Sequence, residues 1–217
     1  LDGAGQNGGD NNVVYQIVGQ PLGVFYLPHC KGLVKNENGS YFYDIEDLDH
    51  NGNVDLSDGG DRYIAGQATP KVILGSNISF RYKNYYVSIQ MNGAFGHKIF
   101  NGTGLAYTSM ACFPDYNVLK DAPKKNIVDQ RVSDYWLEKG DYLNFEHLTI
   151  GYNVPLRSKL IRSLRVSCNI SNIGTITGYK GLTPMINSYV VNSTMGIDDK
   201  RNYPLYRTYS LGLSVQF

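Results

Sequence analysis

The sequence predicts an all-β chain that supplies five consecutive strands, with long extracellular loops, to an antiparallel transmembrane β-barrel. Three observations predict it. Apolar and polar residues alternate with a period of two in five segments beyond residue 71. The connections between those segments are alternately short and long, as in barrels with tight periplasmic turns and long outer loops. The composition favours strands and turns: of 217 residues, 18 are tyrosine, 24 glycine and only one tryptophan.

Residues 1–70 read as an extracellular loop region. Residues 1–12 are almost all Gly, Asn, Asp and Gln, too polar to bury a core. Short apolar segments follow at 13–18, 23–26 and 41–45, and then an acidic, turn-rich run at 47–61. Residues 71–217 read as the last five barrel strands with two long loops.

The first strand places Leu74, Ile78, Phe80 and Tyr82 opposite Gly75, Asn77, Ser79 and Arg81, and Lys83-Asn84 forms a tight turn. The second puts Tyr85, Val87, Ile89, Met91 and Phe95 on one face, with Tyr86, Ser88, Gln90 and Asn92 on the other. Both have about the 9–11 residues that cross a bilayer when tilted. A long irregular segment at 97–140 precedes the third strand, 141–154, where Leu148, Ile150, Tyr152 and Val154 share a face. Leu143 and Phe145 have the opposite parity, so a bulge is expected near Glu146-His147. After a short connection (155–163), Leu164, Val166, Cys168 and Ile170 define the fourth strand. A long loop at 174–204 leads to the fifth, with Tyr209, Leu211, Leu213, Val215 and Phe217 on the lipid side. Five strands that start outside finish inside, so Phe217 falls at the periplasmic rim. Five strands neither close a barrel nor bury their outer face, and further strands are expected from the same or another chain. Tyr82 and Tyr85 at the turn, and Tyr135, Trp136 and Tyr142 before the third strand, suit the two aromatic girdles.

Several function classes lose support. Hydrophobic residues are 42% of the chain, and no run approaches the ~18 apolar residues of a spanning helix. Net charge is +1, with 20 basic and 19 acidic residues dispersed, so nucleic-acid binding has no electrostatic basis. His29, His50, His97 and His147 are scattered, and no nucleophile, zinc or phosphate-loop motif occurs. Glu146 and His147 read as a lumen-facing polar pair at the bulge. Cys30, Cys112 and Cys168 lack CxxC spacing. Cys30 and Cys112 both fall in expected extracellular segments, where they can form a disulfide or stay as two thiols. The chain opens on Leu1-Asp2-Gly3, with neither an initiator Met nor a signal peptide, and is expected to be part of a longer polypeptide.

One local motif carries chemistry. Asp47-Leu-Asp49-His-Asn51-Gly-Asn53-Val-Asp55-Leu-Ser-Asp58 follows the twelve-residue calcium loop, with oxygen donors at positions 1, 3 and 5, Gly at 6 and a carboxylate at 12. Ca²⁺ takes six to eight hard oxygens. Asp47, Asp49, Asn51 and Asp58 can give side-chain oxygens, Asn53 a carbonyl, and Asp55 a direct or water-mediated contact. Position 12 departs by carrying Asp in place of Glu, with a shorter reach. An Asn-Gly turn with a solvated acidic rim would use the same residues.

Longer stretches carry a family resemblance. Val18-Gly-Gln-Pro-Leu-Gly-Val-Phe-Tyr26, the acidic loop, Asp61-Arg62-Tyr-Ile-Ala-Gly66, Gly140-Asp-Tyr-Leu143, Leu148-Thr-Ile-Gly-Tyr152 and Asn172-Ile-Gly-Thr-Ile-Thr177 are six of them. Tyr179-Lys-Gly-Leu182 and Arg207-Thr-Tyr-Ser-Leu-Gly-Leu213 complete the series. In this order, over nearly all of 13–217, they resemble the last third of SusC/RagA-type TonB-dependent transporters. The resemblance implies a plugged barrel of about 22 strands in the Gram-negative outer membrane, non-enzymatic, importing oligosaccharides or peptides. It also implies partners: the N-terminal remainder with plug and other strands, a SusD-like surface lipoprotein over the outer mouth, TonB acting indirectly through that remainder, and membrane lipid. The family's asparagine is kept as Asn172, whereas Val24 and Leu27-Pro28-His29 depart from its pattern. The family's terminal aromatic implies that Tyr209, Leu211, Leu213, Val215 and Phe217 form a barrel-assembly signal. The alternative is a secreted all-β carbohydrate-binding module with a calcium-stapled loop.

Overall fold

The structure, a computed structural model, describes residues 12–57, 59–157, 160–186, 195–199 and 203–217. In chain order the strands begin with β1 (Val14–Tyr15), β2 (Val24–Leu27), β3 (Cys30–Lys35), β4 (Tyr41–Ile45) and β5 (Tyr63–Gln67). The long pair β6 (Val72–Tyr82) and β7 (Tyr85–Phe95) follows, then β8 (Lys98–Asn101) and the helices α1 (Gly102–Thr108) and α2 (Ala122–Lys125). The remaining strands are β9 (Leu137–Lys139), β10 (Tyr142–Val154), β11 (Ser163–Thr177), β12 (Ile197–Asp198) and β13 (Thr208–Gln216).

These elements form two compact units, the first made of Leu1–Pro70, Gly96–Gly140 and Tyr179–Tyr203, the second of Lys71–Phe95, Asp141–Gly178 and Pro204–Phe217. The first division between the units falls at 70/71. The segments Gly96–Gly140 and Tyr179–Tyr203 belong to the first unit with 1–70. The stretch expected to be loop-like is also folded beyond residue 12. It pairs β1-β2-β5 and β3-β4, and β8 lies between β9 and β12, to which it runs parallel.

A core holds the first unit together. Phe25, Leu27, Ile45, Phe100, Leu105, Ile127 and Ile197 are buried, joined by Tyr43 and Trp136. Full burial of such side chains contributes about 1.5–3 kcal/mol each. The Trp136 indole N–H donates to the Tyr43 hydroxyl at 2.9 Å, which satisfies a polar atom that burial would otherwise strand. Trp136 is therefore a core residue and not a membrane girdle, a correction to the sequence reading. Helix α1 passes so close to its ring that a Cβ on Gly104 would sit 2.7 Å from it.

The second unit is one antiparallel sheet in the order β13-β11-β10-β7-β6. β6 and β7 pair from Val72↔Phe95 to Tyr82↔Tyr85 across the two-residue turn, where Lys83 takes φ 53°. The expected bulge is present: the register of β10 shifts between Phe145 and His147 against both neighbours. On β11 the matching irregularity is Asn172, in the left-handed region at φ 53°. The Arg207 guanidinium donates to the carbonyls of Asn172 and Ile173, and the Asn172 amide donates to the Tyr206 carbonyl at 2.9 Å. These contacts satisfy peptide groups where the ladder is interrupted, and β11 continues to Thr177, past the expected loop start at 174.

Candidate functional site

Side-chain direction in the second unit follows from the register. Cross-strand rows such as Phe80–Val87–Ile150–Cys168–Leu211 and Tyr82–Tyr85–Tyr152–Val166–Leu213 collect apolar residues on one face. They stay open to the surroundings: Phe80 is 66% exposed, Leu211 86% and Leu213 70%. Among the described residues, Ala94 is the one buried hydrophobic residue in this sheet. A contiguous apolar face of this extent is not left in water; it suits lipid, with Tyr82, Tyr85 and Tyr152 at the turn end. Tyr209, Leu211, Leu213 and Val215 lie along the edge strand β13, and Phe217 follows it, 78% exposed.

The opposite face is small and polar. Ser79, Ser88 and Asn77 form a hydrogen-bonded chain, Thr149 donates to Asn169 at 2.8 Å, and Thr175 donates to Asn144 at 3.0 Å. At the bulge, Glu146 accepts from the amides of Gln90 and Asn92, and His147 lies 3.8 Å away. The Ser171 hydroxyl lies 3.1 Å from His147 Nδ1, so the pair is tied into the polar face by two side-chain amides and a hydroxyl.

The acidic loop is ordered by its own carboxylates. Asp47 accepts from the Gly52 amide at 2.8 Å and the Asn51 amide at 3.3 Å. Asp49 accepts from the Asn51 amide and side chain at 3.0 and 2.7 Å, and Asn51 Oδ1 accepts from the Asn53 amide. Gly52, at position six, takes φ +89°, which a residue with a Cβ rarely adopts. The Gly52 amide holds the Asp47 carboxyl below the usual carboxylate range, and the Ser57 amide and hydroxyl do the same for Asp55. Asp55 thus turns to Ser57, and Asp58 lies outside the described residues.

The carboxylate that closes the group is Asp61, three positions beyond the twelve-residue template. It is 1% exposed and accepts from the amides of Leu48 (2.6 Å), Asp49 (3.3 Å) and Asp55 (2.7 Å). One oxygen each of Asp47, Asp49 and Asp61 lies within 4.8 Å of the others. Three carboxylates at this spacing are hard donors that fit a divalent oxophilic cation. Template matching missed Asp61 because it lies beyond position 12. The available signal was Asp61-Arg62 itself, directly before β5. Arg62 is buried, donates to the Leu56 carbonyl and the Tyr15 hydroxyl, and ties the loop exit to β1.

The Cys30–Cys112 disulfide is not formed. Cys30 is a free thiol, donating to the Gly32 carbonyl at 3.1 Å, and burial pushes its pKa up. The Cys112 side chain lies outside the described ones. Cys168, also a free thiol, sits between Ile150 and Leu211 on the apolar face. Sequence reading missed Asp134 altogether. Its carboxylate accepts from Tyr63 at 2.6 Å and the Cys30 amide at 2.7 Å, and meets His29 Nδ1 at 2.6 Å, joining three segments of the first unit.

No family model matches the chain. Curated relatives do. The chain is 27% identical over 92% of its length to TonB-dependent receptor P3 of Formosa agariphila, covering 22% of that protein. It is 26% identical over 97% of its length to TonB-dependent receptor SusC of Bacteroides thetaiotaomicron, covering 21%. Among solved structures, the RagAB peptide transporter matches 96% of the chain with a TM-score of 0.72 and 17% identity, over 24% of the matched chain. The closed-closed state of the RagAB peptide importer gives 0.66 at 14% identity, over 95% of this chain and 25% of that one. The chain thus spans about a fifth of the length of the curated relatives it matches.

Sheet and comparisons together define a segment of an antiparallel transmembrane β-barrel. Within that class the chain is similar to proteins named TonB-dependent receptors, SusC among them.

Proposed function

We propose that the chain is the C-terminal barrel segment of a Gram-negative outer-membrane importer of oligosaccharides or peptides, driven through TonB and capped by a SusD-like surface lipoprotein. The observation that carries this is the five-stranded sheet with an exposed apolar face and no buried apolar core of its own. Its relatives are named TonB-dependent receptors, and the matched structure is named a peptide transporter. The apolar face also speaks against a secreted carbohydrate-binding module, which would expose it to water. The test is purification from the native membrane with a tag on this segment. The expected result is extraction only with detergent, together with the rest of a larger receptor and a surface lipoprotein. A folded, monodisperse protein without detergent would overturn the reading.

Within that function the acidic loop is proposed to hold Ca²⁺ and to staple the first unit, with Asp47, Asp49 and Asp61 as carboxylate ligands and Asn51 and Asn53 as supplementary oxygens. Calcium should protect the amides of 47–61 from hydrogen exchange in the detergent-solubilised receptor. Asp47→Ala and Asp49→Ala should abolish the effect. Identical exchange with calcium and with chelator would sink the metal site.

A further inference from the structure

The apolar face of the sheet ends, on the turn side, in an aromatic row. Tyr82, Tyr85 and Tyr152 lie side by side, and the Tyr85 and Tyr152 rings stack with centroids 4.6 Å apart. Tyrosines in such a row mark where hydrocarbon gives way to headgroups. The charges at and beyond it are of one sign. Positions 81–86 and 152–166 hold Arg81, Lys83, Arg157, Lys159, Arg162 and Arg165, and no Asp or Glu. The one acidic side chain in the strands of the sheet, Glu146, is about 20 Å from Tyr152 along β10, beyond the reach of screened attraction at physiological salt. Two of the cations sit on the lipid side. The Lys83 ammonium lies over the Tyr82 ring, 5.3 Å from its centroid, and Tyr82 belongs to the apolar face. Arg162 stands two positions before Leu164 and shares its parity, and its peptide N–H donates to the Gln216 carbonyl at 2.7 Å, which carries the pairing with β13 out to it. The connection after β10 exposes Leu156 and Leu160, the latter by 81%, with Arg157 between them. Aliphatic side chains interleaved with cations, at the end of a lipid-facing wall, suit the boundary between acyl chains and phosphates.

We propose that Lys83, Arg157 and Arg162 form a headgroup collar that selects anionic phospholipid in the periplasmic leaflet. The inference rests on the barrel reading above. The occupant follows from continuity. A wall whose apolar face is covered by acyl chains has the phosphates of those same lipids against the side chains just beyond its aromatic row. Every phospholipid brings a phosphate, but a zwitterionic headgroup also brings a cation, which meets like charge here. A headgroup with net negative charge meets only opposite charge, so the collar discriminates by net headgroup charge. A soluble acidic polypeptide would match the charges and not the exposed leucines.

The test gives the full-length receptor in detergent equal amounts of phosphatidylglycerol and phosphatidylcholine of the same chain length, and native mass spectrometry reads the lipids retained. Heat-sensitive gel mobility reports the folded barrel for each variant. The expected result is preferential retention of phosphatidylglycerol, falling about fivefold for each cation removed and lost in K83N/R157Q/R162Q. The charge-preserving R157K/R162K should keep the preference. Equal retention of both lipids by the unsubstituted receptor, or an unchanged ratio in the folded triple variant, overturns the inference and leaves the barrel reading standing. If the triple variant does not fold, Lys83→Asn alone decides, since asparagine suits the φ of 53° at that turn; an unchanged ratio there overturns the inference too. Displacement of phosphatidylglycerol by millimolar inorganic phosphate also overturns it, in favour of a plain anion site. Release of a bound acidic protein in the triple variant, with the lipid ratio unchanged, overturns it in favour of a protein partner. Absence of a heat-sensitive barrel form in the unsubstituted receptor sinks both readings.

Discussion

At the scale of single residues, Asp61 governs the acidic loop. Its buried carboxylate terminates amides from Leu48, Asp49 and Asp55, so Asp61→Ala strands donors that each cost about 1–3 kcal/mol when left unpaired. The local opening free energy of 47–66 should fall by about 2–4 kcal/mol, read by hydrogen exchange of that peptide. Asp55→Ala, which frees only an exposed turn, should change it far less. Acid should loosen the same loop. The Asp47 and Asp55 carboxyls are depressed in the folded state, so their contribution is complete above the ordinary carboxylate pKa of about 4 and is lost as pH falls through the depressed values. Protection of 47–57, corrected for intrinsic exchange rates, should hold from neutrality to about pH 4 and decline below it. Asp47, Asp49 and the Gly52 turn were legible because their spacing is local. Asp61 was not, because it lies three positions beyond the last residue of the twelve-residue template. Trp136 was misread for a related reason: an aromatic next to a strand looks alike at a membrane rim and in a core, and only Tyr43, 93 positions away, decides between them.

At the scale of elements, the strands of the second unit were legible to within a few residues, since period-two alternation reports on a face that lipid, not a distant partner, must cover. The bulge was visible as a parity switch between Phe145 and Leu148. The extension of β11 past Ile173 was hidden, because Arg207, just before β13, supplies donors to the irregular stretch at Asn172. Small β-pairs of the first unit were illegible for the opposite reason: two to six residues hold too little pattern. An inner-face contact offers the element-scale test. Gly151→Val pushes a side chain into the Tyr86 ring, and overpacking of this kind costs about 1–3 kcal/mol. The folded, heat-sensitive fraction of the receptor should fall in Gly151→Val and recover in Gly151→Val/Tyr86→Ala. Equal folding of all three forms would mean that the Tyr86–Gly151 packing is not made.

At the scale of the whole molecule, one unit has its own core, and the other is a sheet whose apolar face is open and, in the proposed function, covered by lipid. That division predicts opposite tolerance at adjacent positions of β13. Leu211→Arg should destabilise the folded receptor in bilayers by about 2–4 kcal/mol, the cost of a cation near the midplane of a lipid-facing wall. Ser210→Arg, on the inner face, should cost less, and urea titration in vesicles reads the difference. The most direct measurement of the central claim is spin-label accessibility along positions 208–216 in the full-length receptor in bilayers, with the native cysteines replaced. Labels at 209, 211, 213 and 215 should collide readily with dissolved oxygen and poorly with a polar nickel chelate, alternating with oxygen-poor labels at 208, 210, 212 and 214. Uniform water-like accessibility, or alternation of the opposite phase, would contradict a lipid-facing barrel wall.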